Sequence, residues 1–185
     1  MIITAKNPVL REILDWALHI GIAVAIGLLI VNFVVQITIV NGLSMVPTLH
    51  HADKLLVEKI SPRMEGKIQR GDIVTVNVPE FLEDGKETII KRVIGLEGDT
   101  VEIKNDGKVY VNNELLKEDY ISGSFTNVFE PKYSKVTVPK GSLFVMGDNR
   151  LNSKDSRIIG PVDKKKVSGK VLVRILPLNK MGKVK

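Results

Sequence analysis

Three short segments of this 185-residue chain hold side chains whose types and spacing can do chemistry. The first is Asn41–Leu49, "NGLSMVPTL", which carries the hydroxyl of Ser44. A hydroxyl becomes a competent nucleophile only when a neighbouring base takes its proton. Taken alone, the same segment also reads as a turn that Ser44 begins, Pro47 closes and Thr48 caps. The second is Thr88–Asp99, "TIIKRVIGLEGD". In a strand, side chains alternate faces, so Lys91 shares one with Ile89 and Val93, and Arg92 the other with Ile90 and Ile94. Burial among β-branched residues disfavours a charged amine and lowers its pKa. On a surface, the same lysine would extend its amine into water. The third is Met146–Arg157, "MGDNRLNSKDSR", dense enough in Gly, Asp, Asn and Ser to form a hydrogen-bonded loop. Asp155 and Arg157 can pair to fix that loop, and Ser153 offers a neutral hydroxyl able to hold an amine. An Asx-rich turn and a phosphate-binding loop with two arginines have the same composition.

These segments follow an unusual stretch. From Trp16 to Ala52 there are 37 consecutive residues without Asp, Glu, Lys or Arg. Within it, Trp16–Val35 is a 20-residue run broken only by His19 and Asn32. As a helix this run would extend about 30 Å, the thickness of a bilayer's hydrocarbon core. A removable signal peptide would have a shorter apolar core and small residues at a cleavage site. Here the run continues into "QITIVNGLS", which has no such site, so it reads as a retained anchor. Lys6 and Arg11 precede the span and only Lys54 follows closely, a bias that places the N-terminus in the cytoplasm and the rest outside. The expected division is therefore 1–15 cytoplasmic, 16–35 transmembrane and 36–185 extracytoplasmic.

Beyond the anchor the pattern is β. Lys54–Ile60, Asp72–Val78, Thr88–Leu96, Thr100–Lys104, Lys108–Asn112, Ser134–Val138, Ser142–Gly147 and Lys170–Leu176 are rich in Val, Ile and Thr. Gly, Asn, Asp and Pro clusters separate them, as in a meandering, barrel-like antiparallel domain. "NDGK", Asn105–Lys108, predicts a hairpin turn with Gly107 free to take positive φ. No helix is expected after Val40. Ile121–Lys132 reads as an exposed loop or insertion, and the basic tail "NKMGKVK" as a frayed, solvated end.

Composition narrows the chemistry. With no cysteine, disulfides, thiolate metal sites and a cysteine nucleophile are excluded. His19, His50 and His51 lack ligand spacing, so neither a metal nor any other cofactor is expected. The net charge is +6, but aromatic residues make up only 5%, too few for base stacking, so nucleic acid is not an expected partner.

Taken in order, the segments resemble the boxes of the bacterial type I signal peptidases. "SMVPT" at Ser44–Thr48 is similar to that family's nucleophile box, and "GDIV" at Gly71–Val74 to its next box. "KRVIGLEGD" at Lys91–Asp99 resembles the general-base box, and "GDNRLNSKDSR" at Gly147–Arg157 the last. The resemblance runs from the anchor to at least Val162; Leu151 departs from it, standing where the family more often has Asn or Asp.

The resemblance implies a membrane-bound endopeptidase that removes signal peptides from secreted preproteins after small residues. Ser44 would be the nucleophile and Lys91 the general base. Ser153 would orient Lys91, with Asp155 and Arg157 as the structural ion pair beneath it. The oxyanion donor would be the Ser44 N–H. Where some members add a serine hydroxyl two residues earlier, this chain has Gly42, so the sequence names no second donor. Met45, Ile89 and Ile90 would contribute to shallow apolar pockets. The short interval from Asp99 to Ser142 implies a small cap insertion at about 100–141. Two rivals stand beside this reading. A Ser–Lys autoprotease repressor would carry a basic recognition helix in place of the anchor. A membrane-tethered β binding module would need none of Ser44, Lys91 or Ser153.

Overall fold

A computed structural model describes residues 8–82 and 88–184. Helix α1 spans Pro8–Phe33, with Pro8 where its fixed φ suits a helix start. It begins earlier than the uncharged run and ends before Val35. Hydrogen bonding rather than apolarity sets helix bounds, so Arg11, Glu12 and Asp15 continue the coil toward the N-terminus. At the other end the β-branched run after Phe33 is captured by strand pairing. Not one residue of α1 is buried, although an 18-residue window within it has a mean hydropathy of 2.2. Both polar residues inside the run bond back to the preceding turn: Asn32 Nδ2 donates to Leu28 O at 2.9 Å, and His19 Nδ1 to Asp15 O at 2.6 Å. An exposed apolar helix of 26 residues is long enough to cross a bilayer.

The rest is antiparallel β, in two sheets. The larger contains β1 (Val35–Ile39), β2 (Lys54–Glu58), β3 (Ile73–Asn77), β4 (Thr88–Gly95), β9 (Ser142–Met146), β10 (Val162–Asp163), β11 (Val167–Leu176) and β12 (Gly182–Lys183). Its order is β1-β2-β11-β3-β4-β9-β10, with β12 on β11. The smaller contains β5 (Thr100–Ile103), β6 (Val109–Val111), β7 (Glu114–Leu115) and β8 (Lys135–Thr137), in the order β7-β6-β5-β8. The Val- and Ile-rich runs account for the longer strands, whereas β7, β10 and β12 are two-residue pairings with no composition signal of their own.

Central strand β4 is buried on both faces, because Val93 packs with Val74, Val76 and Val145, while Ile94 packs with Val101, Phe144 and Met146. A third cluster of Val40, Met45, Leu49, Leu55, Val57 and Ile73 lies beneath the Ser44 segment. Each fully buried aliphatic side chain contributes roughly 1.5–3 kcal/mol. β4 therefore sits in a rigid setting, and its two adjacent cations, Lys91 and Arg92, are both 2% exposed.

Three expectations are corrected. The C-terminal tail is not frayed through Lys183: Arg174 pairs with Gly182 and Val173 with Lys183 in the β11–β12 ladder. Arg174 Nε also donates to Lys180 O at 2.9 Å. The Ile121–Lys132 segment is not wholly exposed, since Thr126 is buried and its N–H donates to Gly107 O at 2.8 Å. Gly107 takes φ +73°, and the Phe125 ring occupies the space a side chain there would need. A helix does follow Val40, the single turn α2 (Ser156–Ile159), which Asp155 caps by accepting the Arg157 N–H.

Candidate active site

Lys91 reaches the site from the middle of β4, and Ser44 from the turn between β1 and β2. Lys91 Nζ donates to Ser44 Oγ at 2.8 Å and to Ile90 O at 2.9 Å. Burial pushes the amine's pKa down from 10.5 to about 8. The Asp155 charge opposes that shift, Arg157 adds to it and Asp148 opposes it more weakly. Near neutrality a useful share of Lys91 is then uncharged, with a lone pair directed at the serine hydroxyl.

Ser44 is held by the loop after β9. Asn149 N–H donates to Ser44 O at 3.0 Å, and Asn149 Nδ2 donates to Leu43 O at 3.1 Å. Gly147 lets the two segments approach, since a Cβ there would overlap both Ser44 O and Ser153 Oγ. Arg92, pointing away from Lys91 on the pleat, clamps Asp148 with Nε–Oδ1 at 2.8 Å and Nη2–Oδ2 at 2.6 Å. Asp148 in turn accepts the Thr48 hydroxyl, fixing the far end of the Ser44 turn. The Tyr120 ring covers the Arg92 guanidinium at 4.0 Å. Arg150 grips Glu118 and donates to Thr126 Oγ1 at 2.8 Å, tying the loop to the segment after β7.

Asp155 and Arg157 form the expected pair, with Nη2–Oδ2 at 2.8 Å and both side chains buried. Burial alone would raise the Asp155 pKa. The Arg157 hydrogen bond and charge, the Gly147 N–H and the nearby Ser153 hydroxyl outweigh it and hold the carboxyl below its usual value.

Not every expected partner is brought together. Among the described residues Ser153 Oγ makes no hydrogen bond; it lies near Asp155 without hydrogen-bond geometry, and Lys91 Nζ donates its second hydrogen bond to Ile90 O instead. Met45 is fully buried in the cluster under Ser44, whereas Ile89 and Ile90 are half-buried on the strand that bears Lys91. Gly42 stands at φ +115°, on the exposed edge of the turn. Among the described residues the Ser44 N–H has no hydrogen-bond partner. No group of His, Asp or Glu among them could hold a metal ion.

Sequence reasoning missed the roles of Arg92, Asp148, Asn149 and Arg150. One signal was present. An arginine between isoleucines on its own strand face is buried, and a buried guanidinium requires a carboxylate or several carbonyls.

A β domain that sets a serine hydroxyl against a buried lysine of lowered pKa, behind an apolar N-terminal helix, has the parts of a serine peptidase tied to a membrane. Residues 13–176 match the family described as signal peptidase, peptidase S26. The chain is 38% identical to signal peptidase I S of Bacillus subtilis over 94% of each chain. It is 40% identical to a signal peptidase I of Bacillus amyloliquefaciens, covering 92% of this chain and 89% of the relative. It is also 38% identical to a probable signal peptidase I-1 of Synechocystis, covering 88% of this chain and 82% of that one. The chain belongs to the S26 signal peptidase family, and its function is the cleavage of signal peptides from preproteins.

The Lys91 environment has a consequence for pH. A general base at Lys91 would have to be neutral, so kcat/KM would then rise with pH and level off above about 8, the value to which burial brings Lys91. For stability, the folded pKa lies below the unfolded one, so the unfolded chain binds more protons between about 8 and 10.5. This group's contribution therefore becomes more favourable as pH rises through that window. Below about 8 its penalty is complete. Titration of Lys91 by NMR in the full chain, beside a pH–rate profile, checks both; a folded value near 10.5 would remove the basis for either.

Proposed function

We propose that Ser44 and Lys91 form the catalytic dyad, and the 2.8 Å contact between Oγ and the buried amine carries the reading. Neutral Lys91 takes the hydroxyl proton as Ser44 Oγ attacks the scissile carbonyl. The tetrahedral oxyanion forms beside the unpartnered Ser44 N–H. The Lys91 ammonium then protonates the leaving amine. Lys91, neutral again, activates the water that hydrolyses the acyl-enzyme. One positioned oxyanion donor is worth about 3–4 kcal/mol of barrier. Asp155 and Arg157 act as positioning residues by holding the loop against Ser44, and Ser153 packs beside them. Ile89 and Ile90, with Met45 beneath, supply the apolar wall that limits the residues before the cut to small side chains. In this reading the segment at about 100–141, which holds the smaller sheet, is a small cap insertion. No cofactor takes part.

Incubation with a secreted preprotein in detergent or lipid, followed by sequencing of the product's new N-terminus, tests the reading. Cleavage after a small residue, with a serine-directed acyl probe labelling Ser44, is the expected result. An unlabelled Ser44 in a cleaving enzyme would overturn the assignment.

The lipid bilayer is the second partner. In this reading α1 crosses it with residues 1–15 in the cytoplasm and the β domain outside. Protease added to intact, wall-stripped cells should degrade everything after about Gln36. Protection of that domain until the membrane is opened would reverse the orientation.

A further inference from the structure

Where α1 meets the β domain, a groove of about 620 Å³ opens between two 3₁₀ turns, Ser61–Arg63 and Lys164–Lys166. It is lined by Gln36, Lys59, Arg63, Lys164, Lys165 and Ser168 together with apolar Pro62 and Val167. Four of those side chains are cationic, and none of the lining residues is acidic. The carboxylates around it bond to backbone N–H groups or to other lysines: Asp163 accepts the Lys165 N–H at 2.8 Å, Glu58 the Ile60 and Ser61 N–H groups, Glu97 the Gly141 N–H, and Glu80 pairs with Lys166. Lys164 is shared with Glu97 at 3.2 Å. Lys59, Arg63 and Lys165 have no acidic partner among the described residues. A fold that pairs Arg92, Arg150 and Arg157 so fully leaves these three cations without a carboxylate, Arg63 and Lys165 exposed and Lys59 half-buried.

Their position along the chain names the occupant. Lys59 Nζ donates to Asn32 O at 3.1 Å, and Lys59 N–H donates to Val34 O at 2.8 Å. The groove is thereby fastened to the last turn of α1, at the level where a spanning helix leaves the hydrocarbon and meets headgroups. We propose that it binds the headgroup of an anionic phospholipid in the leaflet facing the β domain. The guanidinium of Arg63 and the Lys59 and Lys165 amines would take the phosphodiester. Gln36, which lines the same groove, would meet the remaining polar part, and a glycerol headgroup offers it hydroxyls. The inference rests on α1 crossing the bilayer, and the protease-accessibility experiment reads that premise separately.

Native mass spectrometry of the full chain in neutral detergent, with added dioleoyl phosphatidylglycerol or phosphatidylcholine, tests it. Each basic group at an anionic surface is worth about a five-fold preference, reduced by salt. The wild type should therefore retain phosphatidylglycerol at least ~10-fold better than phosphatidylcholine. The Lys59→Gln, Arg63→Gln, Lys165→Gln triple variant should bring that ratio near one. Lys165→Gln alone, at an exposed site, should give an intermediate ratio. A triple variant of equal charge loss in the connections beside the smaller sheet, Lys104→Gln, Lys108→Gln, Lys132→Gln, should keep the wild-type ratio. All variants should cleave a short soluble peptide at the wild-type rate, which reports folding. Unchanged lipid preference in the groove variants, or equal loss in the control, would overturn the proposal. Displacement of the lipid by millimolar inorganic phosphate would do so too, by marking a site for soluble anions.

Discussion

Lys91→Ala should lower kcat by about 10⁴-fold or more, and Ser44→Ala by a similar amount. The double variant should be scarcely worse than either, because a nucleophile without its base and a base without its nucleophile leave the same residual site. The expectation follows from the local geometry: Lys91 Nζ lies 2.8 Å from Ser44 Oγ, and its other bond goes to the Ile90 carbonyl. No histidine is bonded to Ser44 Oγ among the described residues: His50 and His51 are exposed, His51 Nδ1 accepts the Gly42 N–H at 3.4 Å, and His19 is in α1. Lys91→Arg should fail as well, because a guanidinium stays protonated at any pH the fold tolerates. The measurement is single-turnover cleavage of a preprotein in detergent. Retention of more than a few per cent of wild-type kcat by Lys91→Ala would transfer the base role to another group.

The second large effect is expected at Asp155. Asp155→Asn keeps the shape but removes the charge that meets Arg157 through two hydrogen bonds at 2.9 and 2.8 Å. Breaking one partner of a fully buried pair costs about 3–5 kcal/mol, mostly from the charge left uncompensated. Urea unfolding of the full chain in detergent should show that loss as a lower midpoint at unchanged slope. The same substitution should alter the chemistry in a direction that simple loosening would not. Asp155 opposes the fall in the Lys91 pKa, whereas Arg157 promotes it. With Asp155 neutral, the Lys91 pKa should drop further below about 8, moving the kcat/KM profile toward acid. An unshifted profile in a destabilised enzyme would reduce Asp155 to a purely structural role.

What the chain's own pattern determines is local. Apolar length marks α1, since 20 uncharged residues have few other stable placements. Alternating Val and Ile mark the long strands, and residue types mark Ser44, Lys91, Asp155 and Arg157 as groups worth weighing. Those signals arise from spacing along one segment, which the backbone period translates directly into faces. The short strands β7, β10 and β12 carry no such signal, because a two-residue pairing is decided by what lies beside it.

Tertiary structure decides the rest. Ser44 and Lys91 are 47 positions apart, and only the packing of the β1–β2 turn against β4 brings an oxygen and a nitrogen to hydrogen-bond distance. That turn is held by Asn149, which contacts Leu43 and Ser44 from more than 100 residues away. Burial also sets the protonation state. Lys91 is a potential base only because β4 is covered on both faces, a property of neighbouring strands rather than of β4 itself. The hydroxyl of Ser153, which the sequence offers as the amine's partner, makes no hydrogen bond to Lys91 although it lies in the close approach at Gly147, because a side chain's rotamer and the loop beneath it are settled by contacts that no single segment encodes.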